Sequence, residues 1–345
     1  MRIGILCPSE IAYRRFLPAI RKIEDLEFIG LGVNSAEERY GNHLPSRDTV
    51  QKMMDTERQK AEAMTHDFGG KIFGSYQEVV TCPELDAVYI PLPPALHFKW
   101  ALEALQQGKH VLVEKPATVA YEDTLALTEA ARRGKRALHE NYMFIFHEQM
   151  NAVKTIIDSG ELGEVRLYRI NFGFPRRAAN DFRYDVRLGG GALLDAGGYT
   201  IKCAEWLLGV TADVVYGKLN YLPEFHVDMY GSGALINDTG VTAQIAFGMD
   251  NDYKCELEVW GSKGTMNTGR ILTAPAGFIP TATIRKNGEI RTIELPADDA
   301  FRKSVQHFIK CAEDPVAREK NYEGILRQAR LVGDFMRLAQ VKTEA

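Results

Sequence analysis

The chain has 345 residues, enough for about two domains at roughly 150 residues each. Lys and Arg number 42 against 46 Asp and Glu, and the net charge of −4 argues against a nucleic-acid-binding surface. No apolar run approaches the roughly 20 residues of a membrane-spanning helix, and the N-terminus lacks a signal-peptide pattern. The five scattered cysteines contain no CxxC pair, so we expect no disulfide framework, no metal site and a cytoplasmic location.

Strand and helix patterns alternate over the first part of the chain. Continuous apolar runs, typical of buried parallel strands, lie at residues 2–7, 28–34, 87–92 and 111–114. Apolar residues recur at helical spacing over residues 11–23, 95–107 and 121–133. The order predicts a Rossmann-type, doubly wound parallel sheet in a dinucleotide-binding domain over 1–145. Charged residues 40–68 predict a helical insertion, either solvated or in contact with a partner.

The pattern changes after residue 145, where strand candidates outnumber helices. Partly alternating runs lie at residues 165–174, 214–219, 226–235, 242–247, 254–260, 282–286 and 290–295. Helical patterns lie at residues 150–159, 196–208, 301–312 and 322–339. Consecutive strands predict an open, mostly antiparallel sheet in an α+β domain over 146–345. The last helix could pack on either domain.

The first strand-to-helix turn is the usual place for a dinucleotide pyrophosphate, because helix amides attract anions there. The usual fingerprint has three glycines, but this turn contains Cys7, Pro8, Ser9, Glu10 and Ile11. Pro8 lacks an amide donor, and Glu10 would repel phosphate unless it points away. Taken alone, the turn leaves open an α/β protein that binds no dinucleotide.

The end of the second strand indicates which dinucleotide would bind. NAD-selective sites usually place Asp or Glu here, where the carboxylate accepts from the ribose and repels a 2′-phosphate. Asn34 and Ser35 occupy this place without charge, and Arg39 could approach a 2′-phosphate. We therefore expect an NAD(P) cofactor, with NADP favoured over NAD.

Several motifs recur together along the rest of the chain. They are Pro91-Leu92-Pro93-Pro94, His97, Gly108-Lys109-His110-Val111, Glu114-Lys115-Pro116, Phe146-His147, GELGEV at 160–165, FRYDVRLGGGALLDAGGYTIKCAEWLLG at 182–209 and WGSKGTM at 260–266. In this combination the sequence resembles the glucose-fructose oxidoreductase and inositol dehydrogenase (Gfo/Idh/MocA) family. The resemblance covers almost the whole chain. It implies reversible hydride transfer between a nicotinamide and a sugar-like alcohol or ketone.

The resemblance also assigns roles near the third and fourth strand ends. It makes Lys115 the catalytic lysine, whose ammonium would stabilise negative charge developing on the substrate oxygen. Pro91, Leu92, Pro93, His97 and Glu114, together with Lys115, are the expected cofactor-binding residues of these loops. The family commonly has a cis proline at the position of Pro116.

Asp195 and Tyr199 are spaced i, i+4, which places both on one face of the helix after the glycine run. Many family members have His where this chain has Tyr199, so the resemblance makes Tyr199 the acid/base and Asp195 a substrate-binding residue. A phenol beside an ammonium can have a lowered pKa. Lys202 stands where the family often has Asp, which changes the charge of the pocket and makes Lys202 a candidate substrate contact.

Arginines precede the glycine run, and their forked guanidinium suits phosphate. Arg183 is the candidate substrate-binding residue, with Arg176, Arg177, Tyr184 and Arg187 nearby; the alternative is salt bridging to Asp181 and Asp185. His226 and Asp228 alternate on a predicted strand without a third ligand, so we assign no metal site to them.

Together these residues predict an oxidoreductase acting on a nucleotide-activated sugar alcohol or keto-sugar. The alternatives are a free aldose or polyol dehydrogenase, and a regulatory protein that retains the fold without catalysis. The family resemblance further implies a homodimer or homotetramer formed through the C-terminal sheet.

Overall fold

A computed structural model describes residues 1–40 and 46–340 of the chain. It divides into two compact units. The first comprises Met1–Thr118, Glu122–Asn141 and Ser304–Ile325, and the second Val119–Tyr121, Tyr142–Lys303 and Leu326–Ala345. The C-terminal segment Ser304–Ile325 thus belongs to the first unit, whereas the sequence placed it in the second domain. The domain boundary near residue 145 stays a prediction.

The first unit contains a six-stranded sheet in the order β3-β2-β1-β4-β5-β6. Its strands are β1 (Arg2–Ile5), β2 (Glu27–Gly32), β3 (Lys71–Phe73), β4 (Ala87–Ile90), β5 (His110–Val113) and β6 (Leu138–Glu140). Every neighbouring pair is parallel. The predicted doubly wound sheet is confirmed, and β1 and β4 flank the point where strand order reverses, the usual place for a ligand in this architecture.

Helices connect these strands. They are α1 (Leu17–Ile20), which continues a π-helical turn at Ala12–Phe16, α2 (Ala36–Tyr40), α3 (Arg47–Phe68), α4 (Tyr76–Thr81), α5 (His97–Gln106) and α6 (Tyr121–Gly134). Ser46 caps α3, whose side chains are mostly exposed, so the charged insertion is a long surface helix. In the described ranges no helix has the length and apolarity to cross a membrane.

The second unit contains an eight-stranded sheet in the order β14-β13-β12-β11-β7-β10-β9-β8. Its strands are β7 (Val165–Gly173), β8 (Asp213–Tyr221), β9 (Asp228–Ile236), β10 (Thr242–Gly248), β11 (Lys254–Gly261), β12 (Thr265–Gly269), β13 (Thr281–Lys286) and β14 (Glu289–Glu294). Only the pair β7–β10 is parallel. This confirms the predicted open, mostly antiparallel sheet.

Four further helices follow in the chain. They are α7 (Glu148–Asp158), α8 (Gly198–Leu208), α9 (Ala300–Glu313) and α10 (Pro315–Gln340). A second π-helical turn, Leu193–Gly197, leads directly into α8. The inner face of the second sheet is apolar, and Phe247 on β10 packs on Phe335 of α10 at 5.6 Å between ring centroids. Alternate residues of the same strands form an outer face that is largely polar and exposed.

Candidate functional site

The turn after β1 replaces the glycine fingerprint with a capped helix start. Cys7 and Pro8 are buried, and the Cys7 thiol donates to the Pro91 carbonyl over 3.3 Å. Ser9 Oγ accepts from the Ala12 amide at 3.1 Å, so Ser9 caps the helix. Glu10 is exposed in the first turn, where negative charge is favoured. The amides of Glu10 and Ile11 lie in that first turn, where helix N–H groups have no intrahelical acceptor.

The end of β2 carries a buried acceptor. Asn34 is 8 % exposed, and its side-chain oxygen is buried without a hydrogen-bond partner among the described residues. Ser35 forms a reciprocal capping box at the start of α2: its hydroxyl accepts from the Glu38 amide, and Glu38 accepts from the Ser35 amide. Arg39 lies in α2, but its side chain is outside the described residues.

The loops after β4 and β5 are joined by one buried histidine. His97 is fully buried, with Nε2 at 2.7 Å from the Leu92 carbonyl oxygen and Nδ1 at 2.8 Å from the Pro116 carbonyl oxygen. Burial lowers the pKa of His97 to about 4, and the hydrogen bonds to the Pro116 and Leu92 carbonyls oppose that change. These contacts favour a positioning role for His97 over the predicted contact with cofactor. The Lys115–Pro116 peptide bond is cis, as the resemblance implies.

Two carboxylates hold the segment that carries Lys115. Glu114, at the end of β5, accepts from the Tyr89 hydroxyl at 2.6 Å and from the Asn141 amide at 2.7 Å. Glu140 accepts from the Ala117 amide at 2.7 Å. Lys115 itself is only partly buried. The backbone on both sides of Lys115 is therefore fixed at the carboxyl end of the parallel sheet, where ligands bind in such folds.

Part of the motif that carries the family resemblance is structural. The Lys109 ammonium is buried and donates to the carbonyls of Cys82 and Leu85 at 2.6 and 2.7 Å. Nδ1 of His110 accepts from the Ala137 amide, and burial lowers the pKa of this imidazole to about 4. Both side chains tie the edges of β4 and β5 to neighbouring loops, so this motif maintains the sheet.

In the second unit, Asp195 and Tyr199 lie where the π-helical turn passes into α8. The Tyr199 ring is 9 % exposed and packs edge-on against Tyr142 and Phe172 at 5.3 and 5.4 Å between centroids. A Cβ on Gly198 would lie 2.2 Å from the Tyr142 hydroxyl oxygen. Glycine at this position therefore allows the aromatic ring beside Tyr199 to approach the helix backbone.

Arg183 is bound to two carboxylates. Its Nε donates to Asp195 at 2.6 Å and its Nη1 donates to Asp181 at 3.0 Å. Burial lowers the pKa of the guanidinium, but the charges of Asp195 and Asp181 outweigh burial and raise that pKa. These contacts favour an orienting role for Arg183 over the predicted substrate contact. Asp185, the other expected partner, pairs with Arg187.

The sequence did not identify Asp228 as part of this site. One of its oxygens accepts from the Leu193 amide at 2.7 Å, at the start of the π-helical turn. Gly191 has a φ of 121°, and a Cβ there would lie 2.4 Å from Asp228 Oδ1. Burial raises the pKa of Asp228 to about 6, although backbone hydrogen bonds, including those of Leu193 and Ala192, oppose the rise. The glycine run thus makes room for a carboxylate that caps the helix of Asp195 and Tyr199.

Lys202 belongs to a buried ion-pair network. Its ammonium lies 2.8 Å from Glu205 Oε2, and the other oxygen of Glu205 accepts from Arg327 at 3.4 Å. Lys202 and Glu205 are 9 % and 8 % exposed. This pairing favours a structural role for Lys202 over the predicted substrate contact.

Known proteins share this fold and sequence along nearly the entire chain. Residues 26–142 match the family model "Oxidoreductase family, NAD-binding Rossmann fold", and residues 150–267 match "GFO/IDH/MocA C-terminal domain". A dTDP-3,4-didehydro-2,6-dideoxy-alpha-D-glucose 3-reductase of Saccharopolyspora spinosa is 34% identical over 96% of this chain and 95% of its own length. The chain therefore belongs to the Gfo/Idh/MocA family of NAD(P)-dependent oxidoreductases.

Solved structures agree with this assignment. KijD10, a 3-ketoreductase from Actinomadura kijaniata solved with NADP and TDP-benzene, superposes with a TM-score of 0.88 at 33% identity, covering 98% of this chain and 97% of that one. Variants of KijD10 have been solved with a lysine changed to alanine and with a tyrosine changed to phenylalanine. An aldose-aldose oxidoreductase from Caulobacter crescentus has a TM-score of 0.79 over 98% of this chain, but at 21% identity it supports the fold alone.

The first unit has features that fit a dinucleotide. The first-turn amides after Ser9 can donate hydrogen bonds to phosphate oxygens. The Glu10 side chain is exposed to solvent, so its charge does not face the phosphates from inside the turn. The buried oxygen of Asn34 can accept from a ribose hydroxyl, which would satisfy a group that otherwise has no described partner. The glycine-free turn is therefore compatible with cofactor binding.

Proposed function

We propose that the chain is an NADPH-dependent ketoreductase acting on a hexose that carries a nucleoside diphosphate. The 3-reductase relatives support the substrate class, because they match the chain along nearly its whole length. A second observation carries the proposal. Lys115 and Tyr199 are separated by the same number of residues as the lysine and tyrosine varied in KijD10, so the similarity includes candidate reacting side chains.

In the proposed reaction, different residues of the chain stabilise charge and transfer the proton. When bound, the nicotinamide supplies the hydride. Lys115 donates a hydrogen bond to the substrate carbonyl oxygen and stabilises its developing negative charge. Tyr199 gives its phenolic proton to that oxygen, and Asp195, oriented by Arg183, accepts a hydrogen bond from the sugar.

An NADPH assay with dTDP-3,4-didehydro-2,6-dideoxy-alpha-D-glucose tests this function. We expect NADPH consumption with the dTDP-linked ketone and little with free aldoses or polyols. Activity confined to free sugars would instead support the aldose or polyol dehydrogenase. Absence of both activities, together with unchanged NADPH fluorescence on mixing, would favour the non-catalytic alternative.

The uncharged end of β2 supports NADP. A carboxylate at Asn34 would repel a 2′-phosphate, whereas the amide does not. We expect Asn34→Asp to shift the ratio of kcat/KM for NADPH over NADH toward NADH by about tenfold or more, which corresponds to roughly 1.4 kcal/mol. A wild-type enzyme strongly selective for NADH would contradict this cofactor preference.

Arg177 is the residue we assign to the diphosphate. Its neighbour Arg176 pairs with Asp250, and Arg187 pairs with Asp185. In the described part of the chain, no carboxylate lies within salt-bridge distance of Arg177. A guanidinium outside such pairs is available for a bidentate contact with phosphate oxygens.

A row of aromatic rings connects Arg177 with Tyr199 inside the second unit. The guanidinium carbon lies 5.2 Å from the Phe174 ring centroid, Phe174 lies 5.8 Å from Phe172, and Phe172 lies 5.4 Å from Tyr199. We expect Arg177→Gln to raise KM for the dTDP-sugar about tenfold or more, because charge-assisted phosphate contacts are strong. Arg187→Gln is the matched control and should leave KM unchanged; equal effects of both substitutions would remove Arg177 from this role.

The outer face of the second sheet is the proposed contact with another copy of the chain. It exposes Tyr216, Tyr230 and Trp260 by 55%, 43% and 48%. Arg169 stacks on Trp260 at 5.6 Å and pairs with Glu258 on the same face. Sedimentation velocity should give a dimer or tetramer that Trp260→Glu dissociates; a monomeric wild type would refute this contact. A cytoplasmic location likewise stays a prediction.

A further inference from the structure

A chain of buried polar side chains connects Glu114 with a histidine of the first unit. The Asn141 amide donates to Glu114 at 2.7 Å, the Ser304 hydroxyl donates to the Asn141 oxygen at 2.8 Å, and Nε2 of His139 lies 2.9 Å from Ser304 Oγ. Asn141, Ser304 and His139 are each at most 1% exposed. Each hydrogen bond therefore constrains the next without competition from bulk water.

The carboxylate fixes the direction of these hydrogen bonds. An ionised Glu114 only accepts, so Asn141 must present its NH₂ group to Glu114 and its oxygen to Ser304. The single hydroxyl hydrogen of Ser304 then points to Asn141. The Ser304 oxygen is left to accept, so Nε2 of His139 must carry a proton.

The other ring nitrogen of His139 is constrained from the opposite side. Nδ1 lies 3.2 Å from the side-chain oxygen of Asn321, whose NH₂ group donates to the Leu138 carbonyl. Reversing this amide would place its oxygen against a carbonyl oxygen. Nδ1 must therefore donate as well, and a histidine that donates from both nitrogens is an imidazolium.

We propose that His139 is a buried imidazolium whose countercharge is Glu114, and that the pair, linked through Asn141 and Ser304, positions Lys115 for the reaction. If His139 were neutral while Glu114 is ionised, one link in this series of hydrogen bonds would have an acceptor atom facing another acceptor atom. Unpaired buried polar groups are costly, whereas the doubly protonated ring satisfies every member. This inference concerns the first unit and does not require the proposed substrate.

Glu114 acts on Lys115 through the backbone. It directly precedes Lys115 and accepts a hydrogen bond from the Lys115 amide. Burial raises the pKa of Glu114, while hydrogen bonds from Tyr89 and Asn141 and the charge of Lys115 oppose that rise. In the proposed pair, the positive charge of His139 would add to this opposition and favour the ionised carboxylate that anchors the Lys115 backbone.

Neighbouring groups on α9 permit a charged His139. The His307 ring lies 5.5 Å from the His139 ring; burial lowers the pKa of His307, while a hydrogen bond with the Asn321 side chain opposes that change. Cys311 lies 3.4 Å from His307, and burial raises the pKa of its thiol to about 11. The Phe308 ring lies 6.3 Å from the His139 ring. The cations that act on these groups are Lys310, which lowers the pKa of His307, and Arg318, which lowers that of Cys311.

Long-range ¹H–¹⁵N NMR of the full chain at pH 7 tests the protonation of His139. We expect two protonated ring nitrogens for His139 and one for the buried control His110, with assignment by His139→Gln. Glu114→Gln removes the countercharge, and rotation of the Asn141 amide and the Ser304 hydroxyl then allows a neutral His139 to retain its hydrogen bonds. That variant should therefore lose one His139 ring proton. A neutral His139 in wild type, or no change in Glu114→Gln, overturns the inference.

Kinetics tests the positioning role separately. Glu114→Gln should lower kcat by about tenfold, less than the loss of a direct donor, while NADPH affinity measured by fluorescence stays within twofold. Ser304→Ala interrupts the chain farther from Lys115 and should give a smaller loss in the same direction. If kcat and its pH profile were both unchanged in Glu114→Gln, the Glu114–His139 pair would have only a structural role, and the proposal that it positions Lys115 would be refuted. If no turnover is found with any sugar, the NMR result still decides the protonation state.

Discussion

The two units hold their candidate reacting side chains by different physical means. Around Lys115, the loops after β4 and β5 are tied through backbone carbonyls and amides by His97, Glu114 and Glu140. Around Asp195, the π-helical turn is held mainly by charge, through Arg183 and the cap from Asp228. The first region relies on hydrogen bonds to neutral groups and on the proposed Glu114–His139 pair, whereas in the second region carboxylates face a guanidinium and a helix amide. Substitutions and pH should therefore affect the two regions differently.

The largest expected effect is that of Tyr199→Phe, which removes the proposed proton donor from the second unit. We expect kcat to fall by roughly 10²- to 10⁴-fold, the range for positioned proton transfer. The ring packs against Tyr142 and Phe172 through its faces and edges, so the melting temperature should barely change. Single-turnover NADPH oxidation measures the loss; near-normal turnover would mean that another group carries the proton.

Lys115→Met tests the corresponding side chain in the first unit. Loss of a charge-stabilising donor should lower kcat by about 10²- to 10³-fold while leaving NADPH affinity close to wild type. Lys109→Met is the matched control, because Lys109 is a buried lysine whose ammonium, among the described residues, donates to the Cys82 and Leu85 carbonyls. It should lower the melting temperature but preserve kcat per folded enzyme. If Lys109→Met lowered kcat and Lys115→Met lowered only the melting temperature, the roles assigned to the two lysines would be reversed.

Arg183→Met and Arg187→Met compare two ion pairs within the second unit. The Arg183 side chain is 22% exposed and serves two carboxylates, whereas that of Arg187 is 85% exposed. Removing Arg183 should lower the free energy of unfolding by about 3 kcal/mol, since it takes a hydrogen-bonded cation away from two partly buried carboxylates. Removing Arg187 should change it by under about 1 kcal/mol. Urea denaturation measures both, and equal losses would mean that Asp195 is not held by charge.

A pH dependence of stability is expected from Asp228, and it develops gradually over about two pH units. Because folding raises the pKa of this carboxyl from 3.8 to about 6, the folded state retains its proton longer than the unfolded chain. The contribution of Asp228 to stability is therefore greatest below about pH 4 and falls as the pH rises to about 6. Relative to Asp228→Asn, wild type should lose up to about 3 kcal/mol over this window. A constant difference between the two melts would contradict this cap.

The sequence predicted secondary structure, which follows periodic patterns along the chain, better than it predicted side-chain contacts, which form only when the chain folds. Continuous apolar strands and helical spacing identified both sheets, but β3, β6 and β12 are short and were not predicted. Motif resemblance correctly identified the family, yet it could not distinguish residues by function. Within one motif Lys109 is buried against carbonyls while Lys115 is partly exposed, and only packing separates them.

The remaining differences come from partners distant in sequence. Lys202 and Arg327 both pair with Glu205, and Asp228 accepts a hydrogen bond from the Leu193 amide. Arg327 and Leu193 are far from Lys202 and Asp228 in sequence, so local residue spacing could not predict these roles. Salt bridging to Asp181 and Asp185 was the alternative for the arginines before the glycine run. Arg183 pairs with Asp181 and Arg187 with Asp185, but the second partner of Arg183, Asp195, was not expected. Charged residues near a glycine run suggest a ligand-binding site, although such residues can form salt bridges with each other instead.

The π-helical turn at Leu193–Gly197 limits how this part of the chain can change in evolution. The amide of Gly198 reaches back to the Leu193 carbonyl, so the turn holds one residue more than an α-helical turn. Deleting a residue here would restore an ordinary helix, but each residue contributes about 100° of rotation. Asp195 would then swing away from the direction it shares with Tyr199. Relatives should therefore tolerate substitutions within the turn more readily than changes in its length.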